Sequence, residues 1–106
     1  MVRVARVLMT SNRPHHLSDP DAATWLLSEA RRLQELPGVE CVTLTRVSAT
    51  ERHGRPWDWV CELHLRDGAD ARACVDDPAF AEWLRDLRLL GMRPKVAVLE
   101  ATEAVS

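Results

Sequence analysis

Apolar and polar residues change their spacing several times along the chain, and each change marks an element. Residues 2–9 (VRVARVLM) are β-branched and apolar enough for a strand, which Asn12-Arg13-Pro14 ends. Ser18-Asp19-Pro20-Asp21 then announces a helix. Ser18 or Asp19 can accept from an orphan N–H, Pro20 suits the first turn, and Asp21 favours the positive helix end. Ala23, Leu26, Leu27, Ala30 and Leu33 recur at helical spacing, with Arg31, Arg32, Gln34 and Glu35 over much of the remainder, and Pro37-Gly38 stops the run. Residues 39–48 (VECVTLTRVS) predict a second strand, 49–56 (ATERHGRP) a hairpin loop, and 57–66 (WDWVCELHLR) a third strand that Asp67-Gly68 ends. A turn or two of helix is expected over 69–75. Asp76-Asp77-Pro78 repeats the cap-and-proline signal, and Phe80, Trp83, Leu84, Leu87 and Leu90 form the stripe of a second long helix, with Glu82, Arg85 and Asp86 outside it. Gly91 suits a left-handed C-cap. Pro94 precedes a last strand over 95–101, and residues 102–106 read as a tail.

The order β-α-β-β-α-β is that of a ferredoxin-like α+β domain, one unit over residues 1–106. Right-handed crossovers place both long helices on one side of a four-stranded antiparallel sheet. The other side then has no cover from the chain itself. Along the third strand, alternation puts Trp57, Trp59, Cys61, Leu63 and Leu65 on one side and Asp58, Val60, Glu62, His64 and Arg66 on the other. The five apolar positions belong against the helices, so the indoles of Trp57 and Trp59 are expected beneath Phe80, Trp83, Leu84 and Leu87 and beneath Trp25, Leu26 and Leu33. Buried indole N–H groups need acceptors, and Asp58 points the wrong way to serve.

Composition changes this picture little. A chain of 106 residues buries about 60–65% of its unfolded surface, so its core is thin and a partner surface would help. No stretch is long enough to span a bilayer, and the arginines in Met1-Val2-Arg3-Val4-Ala5-Arg6 break up any secretory apolar run. The net charge of −2 has no basic block for tracking phosphates. Cys41, Cys61 and Cys74 are odd in number and lack CxxC spacing, which points to reduced thiols in a cytoplasmic protein.

Several passages resemble the dimeric α+β barrel superfamily, over nearly the whole chain. The nearer branches are the stress-responsive A/B barrel, EthD-like and antibiotic-biosynthesis-monooxygenase groups. Leu36-Pro37-Gly38-Val39 resembles their helix-to-strand passage, residues 57–65 with Glu62 their third strand, and Asp77-Pro78-Ala79-Phe80 the step that opens their second long helix. The resemblance implies that the open sheet faces of two copies meet as a homodimer. It also implies a pocket for a small apolar or aromatic molecule, walled by Trp57, Trp59, Phe80 and Trp83, and no bound cofactor. Members include polyketide cyclases, quinone-forming monooxygenases and haem-degrading enzymes. Cyclase-like members carry histidines where this chain has Phe80 and Trp59, and often a tyrosine, which this chain lacks. Haem-degrading members use an asparagine on the first strand, matched only loosely by Asn12, and a tryptophan and a histidine where this chain has Cys74 and Leu84. Neither catalytic set carries over.

His64 and Glu62 are the ionisable pair of this reading: two residues apart on one side of a strand, they allow a carboxylate to raise and orient an imidazole as a general base. Arg6 or Arg46 could hold an anionic intermediate there if register places either on that side. The bland reading of the same residues is a ladder of cross-strand charges. His15-His16 with Asp19 and Asp21 has metal-ligand chemistry, but adjacent residues rarely point at one ion and both aspartates have work at the helix start, so no metal site is assigned. His53 falls in the polar loop. No P-loop, GxSxG, HExxH or dinucleotide glycine fingerprint is present. Three functions follow in order: a cofactor-free cyclase-like or monooxygenase-like enzyme, a non-catalytic dimeric ligand-binding or accessory protein, and an RNA-binding module. The last rests on the likeness of Arg55-x-Trp57-x-Trp59-Val60 to a base-stacking strand. It is weakened by the acidic balance and by a first strand without aromatics.

Overall fold

The structure is a computed structural model that describes residues 5–12, 17–47 and 58–99. Residues 2–4, His15, His16, the expected hairpin loop with His53, Trp57, and the residues after Leu99 lie outside the described residues. The elements run β1 (Ala5–Ser11), α1 (Asp19–Gln34), β2 (Val39–Arg46), β3 (Trp59–Leu65), α2 (Gly68–Asp76), α3 (Pro78–Leu89) and β4 (Lys95–Leu99). The sheet has the order β2-β3-β1-β4 with every pairing antiparallel, which is the ferredoxin-like arrangement expected from the element order.

Each helix begins where a short polar side chain satisfies a free N–H. Ser18 Oγ accepts from Asp21 N at 3.3 Å ahead of α1, with Pro20 in the first turn and Arg31 and Arg32 in the last. Asp67 accepts from Asp70 N at 2.9 Å ahead of α2. That cap starts α2 at Gly68, and the helix runs nine residues to Asp76, one residue beyond the expected span at each end. Asp77 closes α2 and opens α3, accepting from Ala79 N at 2.8 Å. At the end of α3, Met92 N donates to Leu87 O and Gly91 N to Arg88 O, both at 3.1 Å. These are the two crossed bonds of a Schellman cap, with Gly91 at φ +82°.

The core lies between the sheet and the helices. Ala5, Val7 and Met9 of β1 and Trp59, Cys61, Leu63 and Leu65 of β3 supply its floor. Leu26 and Leu33 of α1, Ala71 and Cys74 of α2, Phe80, Trp83 and Leu87 of α3, and Met92 supply its roof. One helix stripe differs from the expected one. Ala22, Leu26, Ala30 and Leu33 are buried, whereas Leu27 is 53% exposed and Ala23 only half-buried. Steps of four, four and three residues keep 22, 26, 30 and 33 in line, and Leu27 stands about 100° beyond them. In α3, Phe80, Trp83 and Leu87 are buried while Leu84 and Leu90 are half-buried rim. Trp25 is likewise partly buried against the core.

Gly38 closes the α1–β2 turn at φ +82°, and a Cβ built there would stand 3.0 Å from Asp70 Cβ. Gly38→Ala therefore meets both a left-handed backbone penalty and a side-chain clash. It should cost about 1–2 kcal/mol from the backbone alone, read as a lower midpoint in urea unfolding.

Candidate functional site

The sheet divides the candidate residues into two groups. On the helix side, Trp59 is 7%, Phe80 1% and Trp83 2% exposed. Phe80 and Trp83 stand 6.0 Å apart between ring centroids, tilted by 42°, within the range of favourable edge contacts. These three residues share the apolar core. Trp83 Nε1 donates to Glu29 Oε2 at 2.9 Å, and the same oxygen accepts from Arg32 Nη1 at 2.9 Å. Glu29 is the acceptor that the indole needs, and it ties α1 to α3. Nothing in the sequence marks it, because its partner lies 54 positions away on another helix.

On the open side, register places Arg6 opposite His64 and Leu8 opposite Glu62. Arg6 Nη1 reaches diagonally to Glu62 Oε2 at 3.0 Å. His64 faces the other neighbour: Thr43 Oγ1 lies 3.5 Å from its Nε2, a long hydrogen-bond contact, and Cys41 is its register partner on β2. Glu62 and His64 thus share a face as expected but have different partners, and the carboxylate is held by a guanidinium rather than by the imidazole. Arg6 falls on this face. Arg46, the register partner of Trp59, belongs to the other side. Leu8, Thr10 and Val60 complete the half-buried middle of the open face, and Lys95, Ala97 and Leu99 of β4 its exposed edge.

The structure does not bring the two groups together. Trp59, Phe80 and Trp83 lie beneath the helices, and His64 and Glu62 lie across the sheet from them. A groove of about 430 Å³ runs along the exposed flank of α3, lined by Pro78, Ala81, Glu82 and Arg85, and it includes none of the candidate residues. Asn12 has a structural task. Its Oδ1 accepts from Arg93 N at 2.6 Å and its Nδ2 donates to Gly91 O at 3.3 Å, so it pins the α3–β4 turn to the end of β1. Among the described residues, no cluster of three or more metal-ligating side chains occurs, no buried polar side-chain atom lacks a partner, and no helix is long and apolar enough to cross a membrane.

The thiols separate by environment. Burial, aided by the Glu62 charge, pushes Cys61 up from 9.0 to about 12. Burial and then Asp77 push Cys74 up to about 11. Both behave as small core hydrophobes. Cys41 is exposed at the margin of the open face.

Comparison with solved structures finds the same ferredoxin-like architecture in proteins of low sequence identity. A DABB family protein from Mesorhizobium loti superposes with a TM-score of 0.71 at 13% identity, covering 96% of this chain and 100% of that one. A dimeric ferredoxin-like protein from Thermobifida fusca gives 0.63 at 14% identity, covering 92% and 91%. A variant of SnoaB, a cofactor-independent oxygenase from Streptomyces nogalater, gives 0.62 at 17% identity, covering 97% and 96%. No family model and no curated protein matches the sequence. At these identities the likeness is one of fold.

Four outcomes follow from this geometry. Glu29→Ala strands the Trp83 N–H in a nearly dry site and should destabilise the chain by about 1–3 kcal/mol. Trp83→Phe in the Glu29→Ala background should then cost less than Trp83→Phe alone, as read in a double-mutant unfolding cycle. For the thiols, a disulfide reagent at pH 8 should modify Cys41 rapidly and the other two only after denaturation. Because the unfolded chain ionises these two thiols first, stability should be full below their ordinary value of 9.0 and fall as pH rises through about 11 to about 12.

Proposed function

We propose that the chain works as a homodimeric α+β barrel that takes up a small, flat, largely apolar molecule. Its finer form is a cofactor-free cyclase-like or monooxygenase-like enzyme. The observation that carries the reading is the open face of the sheet. Arg6, Leu8, Thr10, Val60, Glu62 and His64 on the two central strands are already half-buried on a single subunit, although no element of the described chain covers them. A face that mixes leucine and valine with an internally neutral Arg6–Glu62 pair suits a second copy of itself better than bulk water. The fold-level likeness to a dimeric protein and to a cofactor-independent oxygenase supports the same reading. In the enzymatic form His64 is the proton acceptor and Arg6 steadies developing negative charge, while Glu62 sets the position of Arg6. In that form the apolar contacts to the substrate come from Leu8, Val60, Ala97 and Leu99 of the same face.

One observation favours a second reading. Trp59, Phe80 and Trp83 pack on the side of the sheet away from His64, so the ionisable pair and the aromatic walls do not converge on one chamber. A non-catalytic ligand-binding or accessory dimer requires no such convergence. The RNA-binding reading is not favoured, since Trp59 is turned inward and offers no ring face for stacking.

Sedimentation equilibrium at micromolar concentration should return twice the chain mass; a monomer throughout would remove the barrel. Titration of the dimer with flat polycyclic phenols, followed by indole fluorescence, should saturate. Where turnover accompanies binding, His64→Ala should lower it by about 10²–10⁴-fold if the imidazole moves the proton. Binding without turnover selects the carrier reading.

A further inference from the structure

Among the described charged residues of the open face stands one imidazole, His64. His64 lies directly opposite Arg6 on β1. Glu62 comes two residues earlier on its own strand and is already paired with Arg6 at 3.0 Å. Arg66 comes two residues later and is paired with Asp70 at 3.2 Å. From β2, Cys41 is the register partner of His64 and the Thr43 hydroxyl lies 3.5 Å from the ring, with Glu40 exposed at the neighbouring bulge. From β4 the nearest face residues are Leu99 and Ala97, which bring no charge, while Lys95 sits at the far end opposite Thr10. Arg6 with Glu62 and Arg66 with Asp70 cancel in pairs, and Glu40 at the bulge stands outside these pairs. A protonated imidazole adds a positive charge directly across from Arg6, and like charges directly opposite destabilise a strand pair.

We propose that His64 makes the closing of two copies through this face pH-dependent: the faces meet while the imidazole is neutral and part when it is protonated. This rests on the homodimer reading. Burial of the face on pairing disfavours the charged ring, and a twofold pair buries two such rings. Association is then complete above the range in which histidine titrates and is lost as pH falls through it.

The experiment is sedimentation equilibrium of the full chain and of His64→Gln at pH 7.5 and 5.5, at constant ionic strength, with far-ultraviolet circular dichroism on the same samples. Glutamine keeps a polar reach toward Thr43 and carries no charge. The native dissociation constant should rise at least about tenfold at the lower pH, and that of His64→Gln should stay within about threefold, with helix content unchanged in both. A native dimer indifferent to pH overturns the proposal, as does a His64→Gln dimer with the full native response. Loss of helix in both proteins at pH 5.5 also overturns it, since dissociation then belongs to unfolding. A chain that is monomeric at pH 7.5 at tens of micromolar overturns the homodimer reading itself, a result distinct from the other three.

Discussion

The two-residue period of β1 and β3 is the constraint on which the rest of the molecule depends. On the helix side these central strands present Ala5, Val7 and Met9, and Trp59, Cys61, Leu63 and Leu65, all buried. On the other side they present Arg6, Leu8, Thr10, Val60, Glu62 and His64, all half-buried. A slip of one residue in either strand would exchange the two sets and place an arginine, a glutamate and a histidine beneath the helices. The three helices have stripes that fit only the apolar set. The polar thread through the roof, Trp83 to Glu29, exists because a large indole was placed in a dry layer and needed an acceptor there. The raised Cys61 and Cys74 thiols express the same dryness.

Elements with strong local chemistry were legible in the sequence. Ser18 with Pro20, Asp77 with Pro78, and Gly91 each act through neighbours within a few residues, so their roles can be read without knowing the fold. The alternation in residues 57–66 likewise suffices by itself to put Trp59 and His64 on opposite sides of the strand. Legibility fails where a partner comes from far away or where two faces compete. Leu27 has the right residue type for the stripe of α1, but only the sheet decides that the stripe centres on Ala22, Leu26 and Ala30. The start of α2 depends on Asp67 as its cap, a residue that reads equally well as the end of a strand. Glu29, Thr43 and the Arg6–Glu62 diagonal are long-range pairings that no spacing reveals. Glu62 next to His64 suggests a catalytic couple by proximity in sequence, whereas the cross-strand neighbour Arg6 competes for the carboxylate and holds it.

That competition bears on the chemistry. A carboxylate raises the basicity of an imidazole when it accepts from it, and Glu62 is instead in an ion pair at 3.0 Å with a guanidinium. His64 is left to the Thr43 hydroxyl. The sheet itself keeps the imidazole from the aromatic layer, since successive side chains of β3 project to opposite faces. Catalysis on an aromatic substrate would therefore place the substrate against the open face, where the apolar contacts come from Leu8, Val60, Ala97 and Leu99. The buried indoles would act only by stiffening the sheet from behind.

The size of the open face explains why one charge there can matter. Four strands about 4.8 Å apart and about 23 Å long present a flat area of roughly 400 Å², while stable interfaces bury about 800 Å² per partner. Side-chain relief enlarges the accessible area beyond the flat figure, yet the margin stays narrow. The apolar share supplied by Leu8, Val60, Ala97 and Leu99 yields about 25 cal/mol for each Å² withdrawn from water. Against it stand the costs of association and of desolvating Arg6 and Glu62, which remain satisfied only because they carry each other. If two copies meet through so narrow a margin, a protonated His64 sets a like charge directly opposite Arg6 at the centre of the face.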